Sequence, residues 1–317
     1  MSVTKDFATR LDERIAALDN PSLLGLDPRL DYLPEHLQAK AEAKNGSAPE
    51  KSAAAILEFN CEILEALKDI VPAVKFQSAY YEAYGAPGKE CLRNSLKFAR
   101  QLGYLSIVDA KRNDIASTAE AYCRAILGQS EVIGGESYTP LGADALTLNA
   151  YLGSDGIEPF LKYCREAGKG CFILVRTSNP SAGELQDLIL EDGRRVYEAM
   201  GDLVARWGTA VPGKTFSSVG AVVGATWPRQ AIALRQRMPQ QIFLIPGYGA
   251  QGGGAADAVA GFNQEGRGGI VNASRSLMLA WQKEGGDGHD FAAASRREAL
   301  RMRDDLRRAL TRRPESR

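Results

Sequence analysis

Short apolar runs bounded by turn residues recur along the whole chain, at 23–27, 73–77, 105–111, 145–150, 171–177, 218–224, 242–247 and 269–274. None lies close enough to its neighbour for a hairpin, and the stretches between them carry helical spacing, as in Ala55, Leu57, Cys61, Leu64 and Leu67. Runs that are apolar throughout suit parallel strands covered on both faces. An open doubly wound sheet needs the same runs, but eight strands alternating with helices is the number that closes a barrel. The pattern therefore predicts a (β/α)8 TIM barrel filling residues 1–317 as a single domain, which α/β barrels allow at this length. Two segments stand outside the repeat. The polar stretch KAEAKNGSAPEKS, within 32–54, reads as an insertion or surface loop. The arginine-rich tail 283–317 reads as a helix laying Leu300, Leu306 and Leu310 on the barrel, with Arg303 and its neighbours in solvent.

Composition narrows the chemistry. The 39 basic residues balance 39 acidic ones, so no bulk electrostatic affinity for nucleic acid or an anionic membrane is expected, and any anion must meet a local site. The tail lacks interleaved aromatics for base stacking, which argues against an RNA-binding arm. No run reaches the ~18 apolar residues of a membrane span, and the opening residues read as a charged amphipathic helix and not a signal peptide, so the cytoplasm is the expected location. Five cysteines without a C-x-x-C pair read as reduced core residues. Only two histidines occur, His36 and His289, both in polar, loop-like surroundings. Acid–base chemistry must then fall to lysines and carboxylates.

Two glycine motifs resemble phosphate loops. Residues 208–215, GTAVPGKT, fit G-x-x-x-x-G-K-[ST], but they link the end of a helix to the start of a strand, the reverse of a P-loop's context. Residues 247–252, GYGAQG, fit G-x-G-x-x-G after the seventh strand, yet the eighth strand ends Asn272-Ala273-Ser274-Arg275, without the acidic residue that would hold a dinucleotide ribose. Loops after strands seven and eight are where a (β/α)8 barrel usually grips phosphate. Gln251 can donate an amide there and Arg275 a bidentate fork.

The third strand ends in Asp109-Ala110-Lys111-Arg112-Asn113-Asp114. Alternation places Ile107, Asp109 and Lys111 on one face, and the inward face at the carboxyl end of a barrel strand is where catalytic groups sit. Asp114 opens the next helix, with Thr118 one turn further on, and Lys75 in AVKFQ brings a second ammonium to the second strand. A buried salt-bridge network at the barrel mouth is the competing structural reading.

These residues resemble the orotidine 5′-phosphate decarboxylase family in its longer bacterial form. LGLDP, VKFQ, DAKRNDI with Thr118, TSNPSAGELQ, IPGYGAQGG and NASRSLM occur in the family's order over most of the chain. The resemblance implies a ribulose-phosphate-binding-barrel-like fold and decarboxylation of orotidine 5′-phosphate to UMP without metal or cofactor. It implies that Lys111 protonates C6, Asp109 faces the substrate carboxylate, and Lys75 bonds the ribose and joins the charge array. Asp27 would bind ribose hydroxyls, Ser178 the pyrimidine, and Gln251 with Arg275 the phosphate. The family works as a homodimer, which implies that Asp114 and Thr118 reach into the neighbouring subunit's site. Asn113 stands where many members carry glycine, and asparagine tolerates the left-handed backbone that such a glycine would suggest.

Two rivals follow from the same residues. Sister barrels, the hexulose phosphate synthases and ketogulonate phosphate decarboxylases, bind magnesium through a glutamate on strand two, where this chain has Lys75, a cation. A non-catalytic UMP sensor would have no chemical need for the Asp109 and Lys111 pair.

Overall fold

The computed structural model describes residues 5–249 and 252–312. Its eight principal strands are β1 (Ser22–Leu26), β2 (Ala73–Gln77), β3 (Leu105–Arg112), β4 (Ala145–Leu148), β5 (Gly170–Arg176), β6 (Ser217–Val223), β7 (Gln241–Ile245) and β8 (Gly269–Ala273). Each pairs in parallel with its sequence neighbours, and β8 pairs back onto β1, so the sheet closes as the apolar runs predict. A separate hairpin pairs Ser130–Glu131 with Ser137–Tyr138.

The barrel holds two apolar layers. Inside, Leu23, Ala73, Ile107, Ala145, Phe172 and Ile270 form a cluster that also takes in Phe7, Ala8 and Leu11 of helix α1 (Phe7–Leu18). Helix α1 thus stoppers the amino-terminal end of the barrel. Its Phe7 ring meets Phe172 edge-on at 5.9 Å, and Gly170 leaves the room, since a Cβ there would overlap the Phe7 ring. The Ala8 amide donates to Ser218 Oγ at 3.1 Å and Asp6 Oδ1 caps the Thr9 amide at 2.9 Å, fixing the helix across the opening. Outside, the helices bury residues such as Phe59, Ile63 and Leu64 of helix α2 (Ala48–Leu67) against the strands. Each such side chain contributes about 1.5–3 kcal/mol when fully buried. With one end stoppered, polar groups gather at the strands' carboxyl ends.

Two local expectations change. The polar stretch read as a loop is helical: a helix over Glu35–Glu42 and a short turn lead into α2, where Glu50 Oε2 accepts both the Ser47 amide (2.7 Å) and the Ser47 hydroxyl (2.8 Å). Alanine, glutamate and lysine are strong helix formers, and Leu37, Ala41 and Ala53 supply enough buried surface to dock them. The histidines do not sit in separate polar loops, because His36 lies on the Glu35–Glu42 helix and stacks on His289 with ring centroids 4.3 Å apart. Apolar packing beside Phe291 draws them together, and neither lines the cavity described below.

Helix α3 (Ala116–Ile126) follows β3, and helix α4 (Val196–Thr209) ends within the segment that mimics a P-loop, which then turns into β6. The final helix, α5 (Phe291–Thr311), buries Phe291, Ala299, Met302 and Leu306, with Leu300 and Leu310 partly covered. Its arginines are paired: Arg296 with Asp69 at 2.6 Å, Arg297 with Asp290 at 2.8 Å and Arg301 with Glu298 at 2.6 Å. Among the described residues no helix is long and apolar enough to cross a membrane.

Candidate active site

Register assembles the charged groups. Gly25 pairs with Lys75, and Gln77 with Asp109, so the ends of β1, β2 and β3 meet at one level. Lys75 Nζ lies 2.9 Å from Asp27 Oδ1 and 3.2 Å from Asp109 Oδ2, and Lys111 Nζ lies 2.7 Å from Asp109 Oδ1. The order is carboxylate, ammonium, carboxylate, ammonium. Gln77 Nε2 donates to Asp109 Oδ2 at 3.0 Å and the Thr147 hydroxyl donates to Asp109 Oδ1 at 2.8 Å, so the carboxylate is held from both sides.

Burial would push the Asp109 carboxyl up, but the charges of Lys75 and Lys111 and the bonds from Lys111 and Thr147 overcome it and bring its pKa down to about 2. Burial likewise pulls the Lys75 ammonium down, and Asp27 with Asp109 outweighs it, leaving Lys75 above the ordinary lysine value. Both groups are charged at neutral pH although only 8% and 4% exposed. Lys111 differs: its side chain is 45% exposed and faces the cavity.

Strict alternation along β3 breaks at Lys111. Its φ is 50°, in the left-handed region, and the pairing with β4 shifts between Val108 and Arg112. The Lys111 amide leaves the ladder to donate to Thr147 Oγ1 at 3.0 Å. Asn113, expected to tolerate a left-handed backbone, does not adopt one; its Oδ1 is buried without a partner among the described residues, facing the space that a Cβ on Gly156 would take.

The array floors a cavity of about 660 Å³ at the carboxyl ends of the strands. From β5 onward Thr177, Ser178, Asn179 and Gln186 line it, and from β7 and β8 come Gly247, Tyr248, Asn272, Ser274 and Arg275. Gly247 has φ 101°, a conformation that lets the backbone turn out of β7 into this rim. Arg275 is exposed at the start of the short helix Arg275–Met278. Gln251 lies outside the described residues. Asp27, Lys75, Asp109, Lys111, Ser178 and Arg275 therefore share one cavity, as their placement at strand ends predicts.

Asp114 and Thr118 do not line it. Helix α3 begins at Ala116, two residues later than expected, and Asp114 Oδ1 accepts the Ile115 amide at 2.8 Å. Sequence reasoning missed Gln77, Thr147 and Asn272. The first had a signal, because it shares Lys75's face two residues further along β2; the others depend on which strands become neighbours. Asn272 Oδ1 is buried at the cavity wall with no partner among the described residues. No group of three or more His, Cys, Asp or Glu side chains is placed as metal ligands among the described residues.

Fold and site define a (β/α)8-barrel enzyme with alternating carboxylates and ammoniums at the ends of β1, β2 and β3 and a rim carrying Arg275 after β8. The chain belongs to the orotidine 5′-phosphate decarboxylase / HUMPS family, whose model matches residues 15–284. It is 40% identical over 306 residues to orotidine 5′-phosphate decarboxylase of Rhodopirellula baltica, spanning 95% of this chain and 99% of that one. Against the Clostridium perfringens protein of the same name it is 41% identical over 289 residues, 90% of this chain and 93% of the other. The crystal structure of the putative orotidine 5′-phosphate decarboxylase from Streptomyces avermitilis superposes with a TM-score of 0.78 at 32% identity, covering 98% of each chain. The Leishmania donovani OMP decarboxylase superposes with a TM-score of 0.73 at 29% identity, covering 97% of this chain and all of that one.

Proposed function

We propose that this chain decarboxylates orotidine 5′-phosphate to UMP as a cytoplasmic homodimeric barrel. The observation that carries the reading is the run Asp27, Lys75, Asp109, Lys111 on the floor of a cavity whose rim bears Arg275. Breaking the bond between C6 and the carboxylate leaves an electron pair in the ring plane, beyond reach of the ring π system. A placed cation must stabilise it, and the Lys111 ammonium then transfers a proton to C6 and recovers one from solvent. Asp109, ionised and buried, keeps that ammonium oriented and presses on the departing carboxylate. Lys75 and Asp27 bind the ribose hydroxyls, Ser178 the pyrimidine, and Arg275 with Gln251 the phosphate. Binding energy gathered at the phosphate holds the reacting ring in place.

Lys75 Nζ lies between Asp27 and Asp109, where a divalent cation would otherwise bridge two carboxylates, and this favours the metal-free reading over the magnesium-dependent sister barrels. Asp114 and Thr118 belong to the partner's site in this reading. In support, both lie outside their own cavity, Ile115 beside Asp114 is 60% exposed, and Tyr151 and Leu152 in the loop after the neighbouring β4 are 80% and 47% exposed. The free cysteines accord with a reducing compartment.

The test is the loss of orotidine 5′-phosphate absorbance in EDTA-treated buffer. Turnover at full rate is expected. Turnover only after magnesium is added would favour a sister-barrel activity, and tight UMP binding without turnover would favour a sensor.

A further inference from the structure

Arg176 closes β5 inside an apolar run and is 0% exposed. Its guanidinium stacks on Trp227 at 4.0 Å from the ring centroid and lies 5.5 Å from that of Tyr197. One Nη donates to Asp187 Oδ2 at 3.0 Å and the other to Gln186 Oε1 at 3.3 Å. Nε has no partner among the described residues, so this buried cation is incompletely satisfied. Desolvating such a charge costs several kcal/mol, and an apolar side chain of similar volume commonly serves stability as well. What the charge does supply is geometry, since its two donors hold Gln186 and Asp187.

Gln186 folds back over the exit of β5. Its Oε1 accepts the Thr177 amide at 3.0 Å and its Nε2 donates to Thr177 Oγ1 at 2.7 Å, while that hydroxyl donates to Asn179 Oδ1 at 2.6 Å. The Trp227 indole donates to the Thr177 carbonyl at 2.9 Å, and the Gly224 amide to the Arg176 carbonyl at 2.8 Å. A Cβ on Gly224 would stand 2.9 Å from Ser178 Cβ, so β6 presses directly on that residue. Thr177, Ser178, Asn179 and Gln186 line the cavity, and Arg176 lies beneath them without lining it.

We propose that Arg176 is a positioning residue for the ring-binding end of the cavity: through Gln186 and Asp187 it fixes residues 177–179 in the shape that reads the pyrimidine. The proposal rests on the assignment of Ser178 to the pyrimidine given above. It separates the two ends of the substrate, because Arg275 and the glycine segment after β7 belong to other strands and share none of these bonds.

The test compares UMP with ribose 5-phosphate, which carries the phosphate and sugar but no base. Dissociation constants are measured by calorimetry for the wild type, Arg176→Met, Arg176→Lys and the double variant Arg176→Met/Asp187→Leu, with melting temperature recorded for each. In Arg176→Met, UMP affinity is expected to fall about tenfold, on the order of one or two lost hydrogen bonds, while ribose 5-phosphate affinity stays unchanged. Arg176→Lys, which keeps the charge but not the fork, is expected to recover part of the loss. Should Arg176→Met fold poorly with Asp187 left unpaired, the double variant removes both charges and is expected to show the same selective loss. Equal weakening of both ligands, or undiminished UMP binding, would overturn the positioning role alone. A wild type that binds ribose 5-phosphate but not UMP would overturn the substrate reading, and this proposal with it.

Discussion

Lys111 and Asp109 form their 2.7 Å ion pair across a break in β3, and one hydroxyl joins both sides of the break: Thr147 Oγ1 accepts the Lys111 amide and gives its own proton to Asp109. Lys111 takes a φ of 50° to do this. A left-handed conformation costs a residue with a Cβ about 1–2 kcal/mol, so strain is stored at the residue assigned the proton transfer. Glycine carries no such penalty. Lys111→Gly is therefore expected to be at least as stable as Lys111→Ala, the reverse of the ordinary strand order, in which glycine costs about 0.5–1 kcal/mol more. Urea unfolding of the two inactive variants decides it; a clearly less stable glycine variant would show that the backbone relaxes.

Asp109 should be ionised across the whole neutral range. Its folded pKa of about 2 lies below the ordinary carboxylate value, so its stabilising contribution is present above about pH 4 and is lost as pH falls toward 2. Lys75 runs the other way, contributing below the ordinary lysine value and losing that only above its raised folded value. Between these windows neither Asp109 nor Lys75 changes charge. The unfolding free energy of the wild type relative to Asp109→Asn should thus be flat from pH 5 to 8 and drop by roughly 2 kcal/mol toward pH 2. At pH 7 the same substitution should lower kcat by about 10²-fold or more, since an amide holds the Lys111 ammonium without its charge.

What could be read in advance was what a strand or helix carries within itself. The apolar runs located all eight strands, and the polar ends of β1, β2 and β3 located Asp27, Lys75, Asp109 and Lys111. Relations between distant segments stayed hidden. Thr147 reaches Asp109 only once β4 lies beside β3, and nothing within β5 itself shows that Trp227, Tyr197 and Asp187 enclose Arg176. The helix at 35–42 and the first turns of that at 48–67 read as loop for another reason: their polarity masks the alanine, glutamate and lysine content and the Ser47-x-x-Glu50 signal, both present in the sequence.

Arg275 stands at the cavity rim at the start of the short helix after β8 and is exposed, whereas Lys75 and Asp109 are held by one another and by Asp27, Lys111, Gln77 and Thr147, so its loss should leave the charge order intact. A charge-assisted bond contributes about 1.5–3 kcal/mol. Arg275→Ala is accordingly expected to raise KM for orotidine 5′-phosphate by about 10- to 100-fold, with the melting temperature unchanged. An unaltered KM would remove Arg275 from the phosphate site.

Asp114 offers the sharpest check on the assembly. It lies outside the cavity of its own chain, with its carboxylate on the Ile115 amide beside exposed apolar side chains, so in this conformation a direct role in catalysis requires a second subunit. Lys111 lines the cavity of its own chain. Asp114→Ala and Lys111→Ala should each be nearly inactive alone. In a dimer combining the two, one site carries both lesions and the other neither. Random exchange at equal amounts makes half the dimers mixed, so mixing should restore about a quarter of wild-type activity per subunit. No recovery after exchange, with mixed dimers verified by tagged pull-down, would place Asp114 in service of its own subunit and require α3 to shift before catalysis.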